Sequence, residues 1–267
     1  MLRDITLGQY YPVQSPVHRM DPRVKIMLTV AFIVCVFLVG SPLGYIPIAL
    51  YTALACWASN LPFKMMLRSL RPLRILLIFT FILNLFFGSG QTEIFRLWFI
   101  RVSAEGLNNA IHFSLRLVFL VMGSSVMTLT TPPVTLTDGL ESLVSPLKVI
   151  KFPAHEMAMM MTIALRFIPT LAEEADKIMK AQSARGADFT SGSLRQRAKA
   201  LIPLLVPLFV SAFRRAGDLA MAMESRCYRG GEGRTKLHIL KAGRRDLFAA
   251  LSMAALFAVV LLMARYV

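Results

Sequence analysis

Long apolar segments without charged residues dominate the first half of the chain and recur at its C-terminal end. No charged residue lies between Lys25 and Lys64. At a helical rise of about 1.5 Å per residue this stretch reaches roughly 57 Å, enough for about two crossings of a ~30 Å hydrocarbon core. A turn containing Gly and Pro, at residues 40–44, separates them. With the later apolar runs, the pattern predicts five transmembrane helices, at residues 26–40, 45–60, 74–88, 107–129 and 247–264.

Composition agrees with a membrane protein. Of the 267 residues, 56% are hydrophobic and only 17% are charged, and the mean hydropathy is +0.60. These values exclude a disordered chain and leave too little polar surface to cover a soluble globule. The net charge of +15 would suit nucleic acid or an anionic membrane, and the hydrophobicity decides for the membrane, so we expect no nucleic-acid partner.

The distribution of positive charge predicts the orientation. Lys and Arg residues precede the first predicted span and follow the second, whereas the turn between these spans has none. Because short cytoplasmic loops carry an excess of Lys and Arg, the N-terminus is expected inside the cell. Five crossings then put the C-terminus outside.

Residues 131–245 combine short apolar segments with a strong positive charge. Residues 171–245 hold 15 Lys and Arg against 7 Asp and Glu, which favours a cytoplasmic position. The apolar stretches at 157–167 and 201–213 are shorter than a comfortable span. We predict a helix at 137–150 and two long helices, at 155–185 and 195–227, that lie obliquely at the membrane surface. The alternative is that 157–167 forms a sixth span.

Three regions follow from this pattern. Membrane helices occupy residues 1–130, a module of helices at the cytoplasmic membrane face occupies 131–245, and a last transmembrane helix occupies 246–267. The fold class is therefore an all-α membrane protein, with about five transmembrane helices, two long surface helices and one shorter one.

The two long predicted helices resemble each other at their C-terminal ends when Ala175 is aligned with Ala216. The other matched pairs at the same offset are Ile178 and Leu219, Ala181 and Ala222, and Arg185 and Arg226. They share one helix face, about 120° wide. A guanidinium forms paired hydrogen bonds with carboxylates, so each arginine-bearing end is suited to a groove on another protein. The alternative is that each arginine only complements its own helix dipole, at about 0.3 to 1 kcal/mol.

Other candidate residues offer little chemistry. Arg116 lies in the middle of the fourth predicted span, where it must face protein, water or the interface. His112 lies one turn earlier, and we do not expect it to pair with a second positive group. A packing role for Arg116 fits better than an ion relay, because that span contains no carboxylate. The four histidines are dispersed, so no metal site is expected, and the phosphate-binding pattern G-x-x-x-x-G-K-[ST] is absent from the sequence.

Methionine is concentrated in the two long helices. The residues are Met157, Met159, Met160, Met161, Met179, Met221 and Met223. We favour core filling as the interpretation. The alternative is an adaptable surface on which different partners bind.

Several short segments of the chain resemble those of a known family. Residues 181–186, Ala-Gln-Ser-Ala-Arg-Gly, and residues 222–228, Ala-Met-Glu-Ser-Arg-Cys-Tyr, resemble the paired arginine motifs of the transmembrane (T) component of energy-coupling factor (ECF) transporters. The segment from Ser15 to Lys25, with Tyr10 before it, resembles the family's entry to its first span. Residues 165–169, Leu-Arg-Phe-Ile-Pro, resemble its lead into a coupling helix. The resemblance extends over nearly the whole chain.

The resemblance implies a coupling subunit of an ATP-driven importer in the cytoplasmic membrane of a prokaryote. It implies two ABC-type ATPase subunits and a substrate-binding S component as partners, for uptake of vitamins or related micronutrients. Ala184, Arg185 and Gly186 would bind one ATPase subunit, and Ser225, Arg226 and Cys227 the other. Cys227 departs from the glycine common in the family, and a cysteine adopts a left-handed helix cap less easily. The chain itself would be a non-catalytic subunit without a cofactor.

Two other classes of function fit the sequence less well. A self-sufficient secondary transporter or channel should place ionisable groups or broken helices in the middle of the membrane, where this chain offers only Arg116. A membrane enzyme needs a nucleophile, a metal or a carboxylate pair, and the sequence suggests none of these groupings.

Overall fold

Helices make up most of the part of the chain that the structure, a computed structural model, describes: residues 10–87, 93–97, 100–150, 152–187, 189, 193–230 and 240–266. The helices are α1 (Pro22–Leu38), α2 (Tyr45–Ala58), α3 (Phe63–Ser69), α4 (Arg74–Phe87), α5 (Ala104–Thr130), α6 (Pro133–Val144), α7 (Ala154–Ala184), α8 (Leu194–Glu224) and α9 (Arg244–Tyr266). A short antiparallel hairpin, β1 (Glu93–Leu97) and β2 (Ile100–Ser103), precedes α5. The predicted all-α membrane class is confirmed, with this hairpin as an addition.

Local capping explains where two of the helices begin. The Asp21 carboxylate accepts the Arg23 N–H at 2.9 Å, and Pro22 occupies the first helical position. Helix α1 therefore begins at residue 22, ahead of the boundary at 26 drawn from charge. Ser193 and Gln196 form a capping box at the start of α8, each side chain accepting the other's backbone N–H.

The shorter helix before the two long ones differs from its predicted bounds of 137–150. Helix α6 spans Pro133–Val144, and residues Ser145–Ile150 form 3₁₀ turns. Pro146 disfavours α-helical geometry at residue 145 and lacks a backbone N–H, so the α-helix ends there. The two long helices predicted at 155–185 and 195–227 are confirmed as α7 and α8, with internal prolines at Pro169, Pro203 and Pro207.

Four helical segments among the described residues are long and apolar enough to cross a membrane. They are Phe63–Phe86, Ala104–Thr130, Lys199–Glu224 and Arg244–Arg265. Three of them overlap the predicted third, fourth and fifth spans. Helices α1 and α2, which overlap the first two predicted spans, have 17 and 14 residues. The segment within α8 has a mean hydropathy of 1.4, close to the 1.6 of Phe63–Phe86 and Ala104–Thr130 and below the 2.6 of the α9 segment. The five crossings and the surface position of α8 remain predictions.

The chain divides into two compact units, and the larger one holds α1 to α5, most of α6 and α9. Its main core joins α1, α2, α5 and α9, and a second cluster joins α2, α3 and α5. The main core contains Phe32, Cys35, Val36, Val39, Tyr45, Ile48, Phe119, Met253, Leu256 and Val260. Gly123 allows part of this packing, since a Cβ at that position would clash with the Phe32 ring. Helix α9 is thus an integral part of the same core as α1.

A buried lysine ties the first helix to the end of α5. Lys25 is 5% exposed, and its Nζ donates to the Thr130 carbonyl at 3.1 Å, the Thr131 hydroxyl at 3.1 Å and the His18 carbonyl at 3.3 Å. These three acceptors satisfy all the donors of an ammonium group. The charge pattern indicated only that Lys25 contributes to the positive charge before the first span. It is instead a structural crosslink between segments 105 residues apart.

Asp246 connects the start of α9 to the same region. This residue is 6% exposed, and its carboxylate accepts the Asp21 N–H at 3.0 Å and the Gly243 N–H at 2.7 Å. Burial lowers the pKa of Lys25 to about 8, and the negative charge of Asp246 partly counters this by favouring the charged form of the lysine. The N-terminal ends of α1 and α9 are therefore held together by a buried carboxylate with satisfied oxygens.

His18 organises the segment that leads into α1. Its Nε2 lies 3.0 Å from the Tyr11 carbonyl, which can only accept, so Nε2–H donates there. Its Nδ1 lies 2.6 Å from the Ser15 hydroxyl. Burial lowers the pKa of His18, partly countered by the Tyr11 carbonyl. A neutral imidazole, with Nδ1 accepting from Ser15, satisfies both contacts.

Arg116 has protein partners inside the membrane helices, as a packing role requires. Its guanidinium donates to the Val39 carbonyl at 3.3 Å and to His112 Nε2 at 2.9 Å. The Phe37 and Phe113 rings lie 5.4 Å from it, within cation–π range. The expectation that His112 would not pair with Arg116 was wrong, because a neutral imidazole nitrogen accepts a hydrogen bond from a cation.

Candidate functional site

Helices α7 and α8, in the smaller unit, are each 31 residues long and contact each other through equivalent positions. Arg215 Nη2 lies 2.9 Å from Glu174 Oε2, and these residues are 41 positions apart, the same offset that relates the two arginine motifs. The Ser211 hydroxyl and the Arg215 guanidinium lower the pKa of Glu174. Sequence reasoning missed this pair, although extending the repeat backward by one position from Ala175 and Ala216 would have found it.

The end of α7 is a hydrogen-bonded C-cap. Gly186 has a φ of 88°, in the left-handed region. The Gly186 N–H donates to the Ser183 carbonyl and the Ala187 N–H to the Gln182 carbonyl, both at 3.0 Å. This pair of bonds defines a Schellman motif, which satisfies the last carbonyls of the helix. Arg185 is the residue just before the left-handed position.

The end of α8 repeats this geometry. Cys227 has a φ of 56°, and its N–H donates to the Glu224 carbonyl at 2.8 Å. The Tyr228 N–H donates to the Met223 carbonyl at 3.0 Å. Each donor and acceptor is the residue that the sequence repeat aligns with its counterpart at the end of α7. Cys227 therefore adopts the left-handed cap, although a cysteine takes this conformation less easily than a glycine does.

The six predicted site residues lie at these two ends and are all exposed. They are Ala184, Arg185, Gly186, Ser225, Arg226 and Cys227. Neither guanidinium, of Arg185 or of Arg226, has a hydrogen bond or ion pair with the residues that the structure describes. Each end thus presents a guanidinium beside small side chains, on a backbone whose turn is already closed by hydrogen bonds. The structure brings the three residues of each motif together and does not join the two motifs into one site.

Substitutions at Gly186 and at Cys227 should test the cap that the two helix ends share. Gly186→Ala is expected to cost about 1 kcal/mol, because a Cβ is disfavoured at a positive φ. Amide exchange at Ala187 should then be about fivefold faster. Cys227→Gly removes the same strain from the cap, but glycine also increases the conformational entropy of the unfolded helix end, which partly cancels the gain. Amide exchange at Tyr228 should therefore slow only about twofold. Hydrogen–deuterium exchange by mass spectrometry measures both, and a faster rate at Tyr228 would contradict a strained cap.

The methionines of α7 and α8 lie at the surface of the chain. Met157, Met160, Met161 and Met221 are exposed, with Met160 59% exposed, and the others are half-buried. Core filling, the favoured interpretation, is therefore wrong for these four residues. Their exposure agrees with the alternative, a flexible apolar surface.

The fold is that of a helical membrane protein with several candidate spans, and the comparisons with known proteins place it among transporter components. A family model described as "Cobalt transport protein" (CbiQ) matches residues 13–237. Among similar proteins, the energy-coupling factor transporter transmembrane protein EcfT of Acidaminococcus fermentans is 53% identical over 260 residues, covering 96% of each chain. EcfT of Thermosediminibacter oceani is 53% identical over 266 residues, covering 100% of each, and EcfT of Bacillus subtilis is 46% identical over 258 residues, covering 97% of each.

The chain belongs to this family, the transmembrane (T) components of energy-coupling factor transporters. It is a multi-pass protein of the bacterial cytoplasmic membrane.

Proposed function

We propose that the chain is the coupling subunit that links two ABC-type ATPase subunits to a substrate-binding S component, for ATP-driven uptake of vitamins or related micronutrients. The observation that carries the proposal is the repetition of one helix end. Two exposed arginines occupy the same position in the same backbone motif, one at the end of α7 and one at the end of α8. A dipole role alone requires neither a repeated cap nor small neighbours on both sides of each arginine.

Each helix end is proposed to bind one ATPase subunit. Arg185, with Ala184 and Gly186, serves one, and Arg226, with Ser225 and Cys227, serves the other. The small flanking side chains let the guanidinium enter a groove and form paired hydrogen bonds with a carboxylate or bonds with backbone carbonyls. Because the Schellman bonds satisfy the backbone locally, docking leaves the helix end intact.

The ion pair between α7 and α8 supports a lever function. Glu174 precedes Arg185 by the same number of positions as Arg215 precedes Arg226. At about 1.5 Å per residue, each arginine lies roughly 16 Å along its helix from the pair. A displacement imposed on either end is therefore carried to the same junction over the same distance.

The S component is proposed to bind apolar surface on α7 and α8. Among the side chains of α8 that the structure describes, eight large hydrophobic ones are exposed: Leu201, Ile202, Leu205, Val206, Phe209, Val210, Phe213 and Met221. The exposed methionines of α7 add side chains that repack at low cost. Substrate specificity then belongs to the S component, and this chain is a non-catalytic subunit.

Reconstitution in liposomes tests the proposed function. The purified chain with an S component and both ATPase subunits should take up the S component's substrate when ATP is enclosed on the ATPase side. The chain with the S component alone should show no uptake above empty liposomes. Uptake by the chain without ATPase subunits would instead establish the alternative, a self-sufficient transporter.

The pair between α7 and α8 should be needed for coupling more than for assembly. Glu174→Gln leaves Arg215 without its carboxylate partner, so we expect uptake to fall severalfold while the ATPase subunits still co-purify. The exchange Glu174→Arg with Arg215→Glu should restore part of the uptake. Asp218→Asn, an exposed acidic residue of α8, is the matched control and should leave uptake unchanged.

The same pair sets an expectation for pH. Since Ser211 and Arg215 lower the pKa of Glu174, its contribution to stability is complete above the ordinary glutamate pKa of about 4.3 and is lost only as the pH falls through the lowered value. In the wild type, the contact between Glu174 and Arg215 should thus persist between about pH 7 and 5, so uptake should not fall through its loss in this range. If the severalfold effect of Glu174→Gln disappeared at pH 5, the pair would already be broken there.

A further inference from the structure

A cavity of about 350 Å³ lies within the larger unit, among α1, α2, α5 and α9. Its far end is formed by Phe32, Tyr51, Gly123 and Met253, where the two aromatic rings stack with centroids 6.1 Å apart. Its other end is bordered by two cationic residues, Lys25 and Arg245. The cavity belongs to neither helix end of the candidate site.

Four hydroxyl groups along the walls are already satisfied by the helices that carry them. Thr29, Thr52 and Thr130 each donate to the carbonyl four residues earlier in their own helices, at 2.7 to 2.8 Å. Ser252 donates to the Ala249 carbonyl at 2.8 Å. The interior therefore offers methyl and methylene groups, and an occupant must be apolar to replace water favourably.

The length of the cavity suits one acyl chain of a lipid. Along α1 the lining runs from Lys25 to Phe32, and along α9 from Arg245 to Met253, which corresponds to roughly 10 to 12 Å. This is most of one ~15 Å leaflet, half of the hydrocarbon core.

Only one of the two border cations is available to a ligand. Lys25 is buried and its three donors are used by protein acceptors. Arg245 is exposed, and its guanidinium has no hydrogen bond or ion pair with the residues that the structure describes. This group matches a phosphate in charge and shape. Leu54 and Phe248, 53% and 71% exposed, extend the apolar surface at the mouth.

We propose that this cavity binds one acyl chain of an anionic phospholipid of the inner leaflet, with the headgroup phosphate on Arg245. The positive residues before α1 and before α9 put this end of the cavity at the cytoplasmic interface, where anionic lipid headgroups lie. A lipid held there would contact α1, α2, α5 and α9 together. The site is independent of the proposed ATPase contacts.

Native mass spectrometry of the full-length chain tests the lipid site. The chain is released from micelles containing equal amounts of phosphatidylglycerol and phosphatidylcholine with the same acyl chains. We expect one retained lipid per chain and about fivefold preference for phosphatidylglycerol. Arg245→Gln should reduce the preference to about one, whereas Arg265→Gln, at the other end of α9, should leave it unchanged.

Filling the cavity should remove the lipid. Ala249→Trp, in the wall formed by α9, should lower retention at least tenfold, and Leu262→Trp, outside the cavity on the same helix, should not. Ala55→Leu fills the cavity from α2 with a smaller change and decides the result if the tryptophan variant does not fold. Retention unaffected by a folded filling variant would overturn the site. Equal binding of the two lipids by the wild type, or a preference that survives Arg245→Gln, would overturn the proposed headgroup contact.

Discussion

Replacing Arg185 and Arg226 together by glutamate is expected to abolish co-purification of the ATPase subunits and, with it, substrate uptake. Each change removes a guanidinium from an exposed helix end and puts a carboxylate there, which in the proposed contact would meet the ATPase groups that bind the arginine. Removing one partner of a buried charged contact typically costs about 2–5 kcal/mol, and reversal adds repulsion. Two such losses correspond to at least a thousandfold weaker assembly.

The control for this variant changes net charge equally without touching the helix ends. Arg195 and Lys241 are exposed basic residues outside both motifs, so Arg195→Glu with Lys241→Glu should preserve assembly and uptake. The two single variants, Arg185→Glu and Arg226→Glu, should each retain one docked ATPase end and show intermediate binding. Full assembly and uptake in the double variant Arg185→Glu with Arg226→Glu would exclude both arginines from the proposed contacts.

The second large effect is expected at Lys25. Substitution by methionine should lower Tm by about 10 °C, because it leaves buried polar groups without a hydrogen-bond partner. Methionine keeps the length of the side chain but leaves the Thr130 and His18 carbonyls and the Thr131 hydroxyl without their donor. Each unsatisfied buried group costs about 1–3 kcal/mol, and we take about 3 kcal/mol for the site after local relaxation. For a chain of this size, about 1 kcal/mol shifts Tm by about 2–4 °C.

Thermal unfolding in detergent, followed by size-exclusion chromatography of the remaining folded protein, measures the change. Lys64→Met is the matched control, because Lys64 is an exposed lysine near the start of another helix. Its effect should stay within about 0.5 kcal/mol. A decrease in Tm of less than about 2 °C for Lys25→Met corresponds to a loss of less than about 1 kcal/mol. Such a result would mean that the buried ammonium stabilises the junction of α1 and α5 no more than a surface charge does.

Much of the helical architecture could be predicted, because burial in lipid leaves long gaps between charges. The two long helices were found close to their observed ends, from apolar stretches and the repeat of the arginine motif. Errors arose where short-range geometry decides. Asp21 and Pro22 cap α1 before the apolar run begins, and Pro146 ends α6 within a segment whose composition still favours a helix.

The residues of the two helix ends could also be named from sequence, whereas their conformation could not. A left-handed cysteine costs about 1–2 kcal/mol, and the two cap hydrogen bonds of Cys227 and Tyr228 help to offset that cost. Two side-chain contacts of cationic residues were missed for a different reason. The burial of Lys25 depends on Thr130 and Thr131, and the bond from Arg116 to His112 depends on the imidazole being neutral. The charge pattern of a sequence predicts neither the burial of Lys25 nor the neutral state of His112.

The equal distances from Glu174 and Arg215 to the two arginines have a kinematic consequence. A force applied at Arg185 and a force applied at Arg226 would act on the junction of Glu174 and Arg215 through helical segments of equal length. Equal forces at the two ends would therefore have equal leverage on that junction.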